Sequence, residues 1–169
     1  CNGHEVKKKI EVTKLTNVIS FKPSDVMIFD NSPSIRRKFL DISISKFDEC
    51  YLTQLSLYDK LLKERNEILK QEHVDNLQLD VITEQMIDVE YEIVKKRKKF
   101  IGYLNEIINK VVVSLKSEAS SISLNYFPFV KSSEESFKET AKKAYFDSLE
   151  RDLKTKSTNI GIQREDFST

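Results

Sequence analysis

The stretch that most constrains this chain runs from Val81 to Leu115. Apolar residues recur there at Ile82, Met86, Val89, Ile93, Phe100, Leu104, Ile107, Val111 and Leu115, with Lys96 and Arg97 filling the one charged slot. Steps of three and four are the period of an amphipathic helix with a single apolar stripe. At 1.5 Å per residue such a helix runs roughly 50 Å, more than a globular helix usually needs. It therefore requires a partner along much of its length.

The remainder of the chain supplies that partner. Its 169 residues suit one domain with a sizeable core. Charged residues make up 33% and hydrophobic residues 39%, with three Gly and three Pro, a balance that favours helices. From about Tyr51 to Lys70, Leu52, Leu55, Leu62 and Leu69 mark a second helix, and the polar run Gln71–Asn76 reads as the turn between the two. Two long helices joined by a short polar link pack antiparallel as a hairpin. Upstream, Ser32-Pro33 is a helix start, with Ser as the cap and Pro where its missing N–H costs nothing. The helix it opens carries Ile35, Phe39, Leu40 and Ile42, and the alternating Ile42–Phe47 segment suggests a break.

The ends of the chain read differently. Lys8–Thr13 and Val18–Phe21 have the alternation and β-branched content of two strands, and Pro23 stops the second. Ile122–Tyr126 reads as a short strand ending at Pro128. Ser132 and Glu135 form a capping box for a helix carrying Phe137, Ala141, Tyr145, Leu149 and Leu153, which should end near Thr155–Thr158. Asn159–Phe167 is strand or loop. The expected fold is mainly α (α+β): an antiparallel helical hairpin or bundle with a few short strands at the ends.

Several functions are disfavoured at this level. No glycine precedes a Lys-Ser/Thr pair, so the phosphate-cradling loop of P-loop nucleotide hydrolases is absent. His4 and His73 have no Cys or His at ligand spacing, so no metal site is expected, and nothing in the sequence orients Cys50 and His73 as a nucleophile pair. No catalytic residue is expected. There is no apolar run long enough to span a membrane and no signal-like start, and Cys1 and Cys50 read as reduced thiols of a cytoplasmic protein. A start without Met and an end on Phe167-Ser168-Thr169 read as a piece of something longer.

A net charge of +1 gives no global attraction for nucleic acid, so any such contact must be local. The local candidate is Lys95, Lys96, Arg97, Lys98 and Lys99. Five consecutive residues go more than once round a helix, so at least one must point toward the hairpin partner. The run reads either as an arm that touches phosphates or as a solvated turn with snorkelling stems. Arg36 and Arg37 point roughly 100° apart; one can pair with Asp41, and the other can reach a phosphate or a partner. Asp25, just past the second strand, stands where a strand end can offer a carboxylate.

Phe21-Lys22-Pro23-Ser24-Asp25-Val26 followed by Ser32-Pro33-Ser34-Ile35-Arg36-Arg37-Lys38-Phe39-Leu40-Asp41 is similar to the F-x-P-E-D-L and S-P-x-x-R-R-x-F-L-D of the RecF family of bacterial DNA replication and repair proteins. Tyr51-Leu52, Leu55, Tyr58, Leu61-Leu62-Lys63, Arg65-Asn66 and Leu69-Lys70 continue the likeness, as do Ile93, Lys96-Arg97 and Phe100-Ile101. Asp152, Thr158, Gly161, Arg164 and Asp166 are similar to a closing D-x-x-x-G-x-T-x-x-G-P-H-R-D-D-L. Departures include Ser24 for Glu, Asn31 and Lys156 for Gly, Ile82 for Trp, and Ile162, Gln163 and Glu165 for Pro, His and Asp.

The resemblance implies the middle segment of an ABC-type ATPase related to SMC heads. Residues 1–30 would be strands leading out of the head, 31–120 a helical arm with its hairpin at 51–115, and 121–169 the return strand, helix and terminal strand. It implies that ATP and Mg²⁺ bind in the parent protein rather than in this segment, which should not hydrolyse ATP. The implied partners are DNA (bound weakly through the basic run, as single-stranded or gapped DNA), the remainder of the head, and recombination-mediator proteins, with ATP-dependent dimerisation in the parent only. The alternative is a stand-alone helical, coiled-coil interaction module with no nucleotide chemistry.

Overall fold

A computed structural model describes residues 22, 27–115 and 122–169. The expected strands Lys8–Thr13 and Val18–Phe21, and with them Asp25, lie outside the described residues. Within the described residues the fold is mainly α. Helix α1 is Pro33–Ser45, α2 Glu49–Leu69, α3 Asn76–Ser114 and α4 Phe137–Thr155, with two short strands, β1 Asn125–Phe127 and β2 Asp166–Ser168. A 3₁₀ turn, Ile162–Arg164, leads into β2.

α2 and α3 form the hairpin. Each is opened by an aspartate that satisfies an orphan backbone N–H: Asp48 accepts from Tyr51 N at 3.0 Å and Asp75 from Gln78 N at 3.1 Å. α4 packs on α3, burying Phe137, Ala141 and Tyr145 against Met86, Ile87, Ile93 and Val94 in the main core. α1 lies across the base of the hairpin, where Leu40 joins Ile101, Leu124 and Phe167 in a second core. β1 and β2 pair antiparallel beside it, Tyr126 opposite Phe167. Asn105 on α3 holds the approach to β1: it donates to Leu124 O at 3.0 Å and accepts from Leu124 N at 2.7 Å.

Three local expectations change. Pro33 occupies the first turn of α1, but Ser32 makes no side-chain cap and bonds instead to the Ser34 hydroxyl at 2.7 Å. The Ser132–Glu135 box does not open α4. The helix starts at Phe137, Ser133 Oγ accepts from Ser136 N, and Ser132 Oγ is buried without a partner. The buried face of α2 is Tyr51, Tyr58, Leu61, Arg65, Ile68 and Leu69. Leu52, Leu55 and Leu62 are only half-buried. Aliphatic spacing misses this face because three of its members are large side chains with polar ends, which bury only where those ends find partners.

Candidate nucleic-acid interface

The basic run of α3 divides. Arg97 turns inward and is buried; Lys95, Lys98 and Lys99 are exposed, and Lys96 is half-buried. Lys95 reaches Glu134 at 3.0 Å and Lys96 reaches the cap residue Asp48 at 2.8 Å. Lys98 and Lys99 make no ion pair among the described residues. The outward side of this turn thus presents two uncompensated lysines beside a third that is engaged only at the surface.

Inward, Arg97 is the centre of a polar node. Its Nη1 donates to Glu165 Oε2 at 2.7 Å and to the Ile162 carbonyl at 3.1 Å. Its Nη2 donates to Asp41 Oδ1 at 2.8 Å, and its Nε to the Tyr51 hydroxyl at 3.0 Å. Tyr51 donates in turn to Asp41 at 2.6 Å. Glu165 also accepts from the Tyr126 hydroxyl and from Phe129 N. One guanidinium therefore joins α1, α2, the 3₁₀ turn and, through Glu165, β1. Five fixed donors suit such a junction, which a lysine could not reproduce.

Asp41 pairs with this Arg97 rather than with Arg36 or Arg37. Arg36 instead clamps Asp166 on β2 with two bonds of 2.7 Å, and donates to the carbonyls of Phe29 and Asn31. Its hydrogen bond holds the Asp166 carboxyl below the usual range. Arg37 donates to the Glu165 carbonyl at 2.7 Å and makes no ion pair among the described residues. Arg164 is exposed and makes none either.

Glu90, two turns before Arg97 on α3, is fully buried. Its Oε1 accepts from the Tyr145 hydroxyl at 2.9 Å and from Ile162 N at 3.3 Å, and its Oε2 has no partner. Burial pushes this carboxyl up to about 8, and nearby Glu165 adds to the shift. It is held as the neutral acid at pH 7. Gly161 lies directly over it with φ 115°, and a Cβ there would fall 2.6 Å from Glu90 Oε1, 2.6 Å from Gln163 Oε1 and 2.7 Å from the Tyr58 hydroxyl. Glycine is required twice over, by backbone angle and by space.

Sequence reading passed over Glu90, though a signal was present, and met Arg65 only as part of the Arg65-Asn66 run. Glu90 and Arg97 stand seven residues apart within the buried stripe Leu79, Thr83, Met86, Glu90, Ile93, Arg97 and Ile101. Charges at core positions one heptad apart mark a buried polar layer. Among the described residues there is no group of side chains that could hold a metal ion. No helix among them is long and apolar enough to cross a membrane.

No family model matches the chain. It is 34% identical over 175 residues to the DNA replication and repair protein RecF of Shouchella clausii, covering 99% of this chain and 47% of that protein. It is 33% identical to the same-named protein of Halalkalibacterium halodurans and 32% to that of Clostridium tetani, covering 98% of this chain in each case and 47% and 46% of theirs. Two solved structures of the recombination mediator protein RecF of the RecFOR pathway, one described as RecF-ATP and one as RecF-ATPrS, superpose with TM-scores of 0.87 and 0.83 at 29% and 30% identity. Each covers 98% of this chain and 46% of the solved one. The chain spans about half the length of the relatives it matches.

Proposed function

We propose that this chain, a segment of the RecF family, is the helical arm of a DNA replication and repair protein and touches DNA phosphates through the exposed lysines of α3. The observation that carries the reading is the split of the basic run. Arg97 is spent on the interior, while Lys98 and Lys99 face solvent without an ion pair among the described residues, and Lys95 alongside is engaged only at the surface by Glu134. Residues 31–120 would form the arm, 1–30 and 121–169 its connections to a head, and ATP and Mg²⁺ would bind in the other half of the parent. Single-stranded or gapped DNA, mediator proteins and a second ATP-bound copy are the partners this reading assigns to that cytoplasmic parent.

The test is DNA binding by the chain across a salt series. Replacing Lys98 and Lys99 by Ala should weaken binding and reduce the slope of log K against log salt by about 0.7–0.9 per lost phosphate contact. Unchanged affinity and slope would refute the lysine contact. Mg²⁺-ATP should bind the isolated chain negligibly; stoichiometric binding would refute the assignment of nucleotide to the other half.

A further inference from the structure

Between α1 and α2 runs an open groove of about 750 Å³, ended by the Ile162–Arg164 turn. That size falls among small-ligand sites, about 300–1,000 Å³, which gives room for an unpaired nucleotide but not for a duplex. Its two walls differ. The α1 wall carries Arg37 and Lys38, neither in an ion pair among the described residues. The α2 wall is apolar at Leu52 and Leu55 and carries acids at Glu49 and Asp59. At the lip, in the link between the helices, Phe47 is 85% exposed, the most exposed of the large hydrophobic side chains among the described residues. Asp41, also on the lining, is paired with Arg97 at 2.8 Å.

We propose that this groove binds a single nucleic-acid strand, with its phosphates on Arg37 and Lys38 and a base stacked on Phe47. The inference deepens the DNA reading above and rests on it. An aromatic face beside a basic wall is the pairing that single-strand binders use, since every base has a stacking face and every linkage a charge. The apolar α2 wall, with an acid at Asp59, leaves the backbone to the α1 side. Arg37 is held by its bond to the Glu165 carbonyl at 2.7 Å and pairs with no carboxylate among the described residues, which leaves its charge for a phosphate.

The experiment measures binding of the chain to an oligo-dT strand and to a duplex of equal length by fluorescence anisotropy at several salt concentrations. Phe47→Ala should weaken oligo-dT binding about fivefold or more and leave duplex binding unchanged, and Phe47→Tyr should restore it. Lys38→Ala should weaken strand binding and reduce its salt slope. Both side chains are exposed, so unchanged urea midpoints will show that the fold is intact. Oligo-dT affinity that ignores Phe47→Ala, or equal losses on strand and duplex, overturns the proposal. So does Phe47-dependent binding of a peptide alternating Asp and Leu when oligo-dT does not bind, an outcome that makes the groove a protein site. A Lys98→Ala/Lys99→Ala variant in the same assay separates the two ideas. If it alone loses binding, the groove fails and the arm contact stands; if only the Phe47 and Lys38 variants lose it, the reverse holds.

Discussion

Arg65 and Arg97, the two most deeply buried arginines among the described residues, hold this fold, and their surroundings differ. Arg65 on α2 is matched by one carboxylate, Asp152 of α4, at 2.8 Å. Its other partners are neutral: the hydroxyls of Thr83 and Thr158 at 3.0 and 2.7 Å, and the Tyr145 ring at 5.0 Å. Asp152 is completed by Ser148, Asn159 N and Asn159 Nδ2. Charge and hydrogen bonds close at this site. Around Arg97, by contrast, Asp41 and Glu165 share one buried cation, and Glu90, buried nearby with Glu165 adding to its shift, keeps its proton. The first site fixes three helices and the loop after α4. The second fixes the base, where α1, α2, β1 and β2 meet, and it does so with a surplus of acid.

This difference can be attacked in order of expected effect. Arg97→Met leaves two carboxylates, Glu165 and Asp41, with neutral donors only, and should cost about 3–5 kcal/mol of stability by urea unfolding, more than Arg65→Met, which leaves one, Asp152, with three such donors. Adding Glu165→Gln to Arg97→Met should recover part of the loss. No recovery would mean that the damage is to packing rather than to charge. Gly161→Ala should cost about 1–3 kcal/mol through backbone strain, with the crowding against Glu90, Gln163 and Tyr58 in addition.

Next comes pH. Glu90 has a folded pKa of about 8 against an ordinary value near 4.5, so the folded state binds more protons than the unfolded one. Its stabilising contribution is complete below the ordinary value and is lost as pH rises toward and through the folded value. Stability should therefore fall from pH 5 to pH 9, and Glu90→Gln should flatten the fall; an unaltered profile would place the titration elsewhere. Last, Lys98→Ala should shift stability by no more than about 0.5 kcal/mol, since the side chain touches nothing buried.

The hairpin was legible because its signal is local: period and a polar turn lie within one stretch of chain. Even the inward turn of one basic residue followed from geometry, though periodicity alone could not say that it was Arg97. The node was not legible, because its members are distant in sequence. Arg97 meets Asp41 from 56 residues away and Glu165 from 68, and no spacing rule links them. Arg36 shows the same limit: the nearby Asp41 was the natural partner by helical spacing, and Asp166, 130 residues on, is the actual one. The start of α4 failed for a smaller reason. Three serines stand within five residues there; the N-cap position falls on Ser136, which makes no side-chain cap, and Ser133 accepts from Ser136 N instead.

The length of α3 has a mechanical corollary. Thirty-nine residues make a rod of about 58 Å, and Arg97 pins it a little past its middle. From that pin to Asn76 is about 32 Å, so a tilt of about 5° at the base carries the hairpin tip nearly 3 Å. The base is where both ends of the described chain converge on α1 and the β1–β2 ribbon. A change in how that ribbon sits on Arg97 and Glu165 is geared up along the rod, and the far end of the hairpin becomes its pointer.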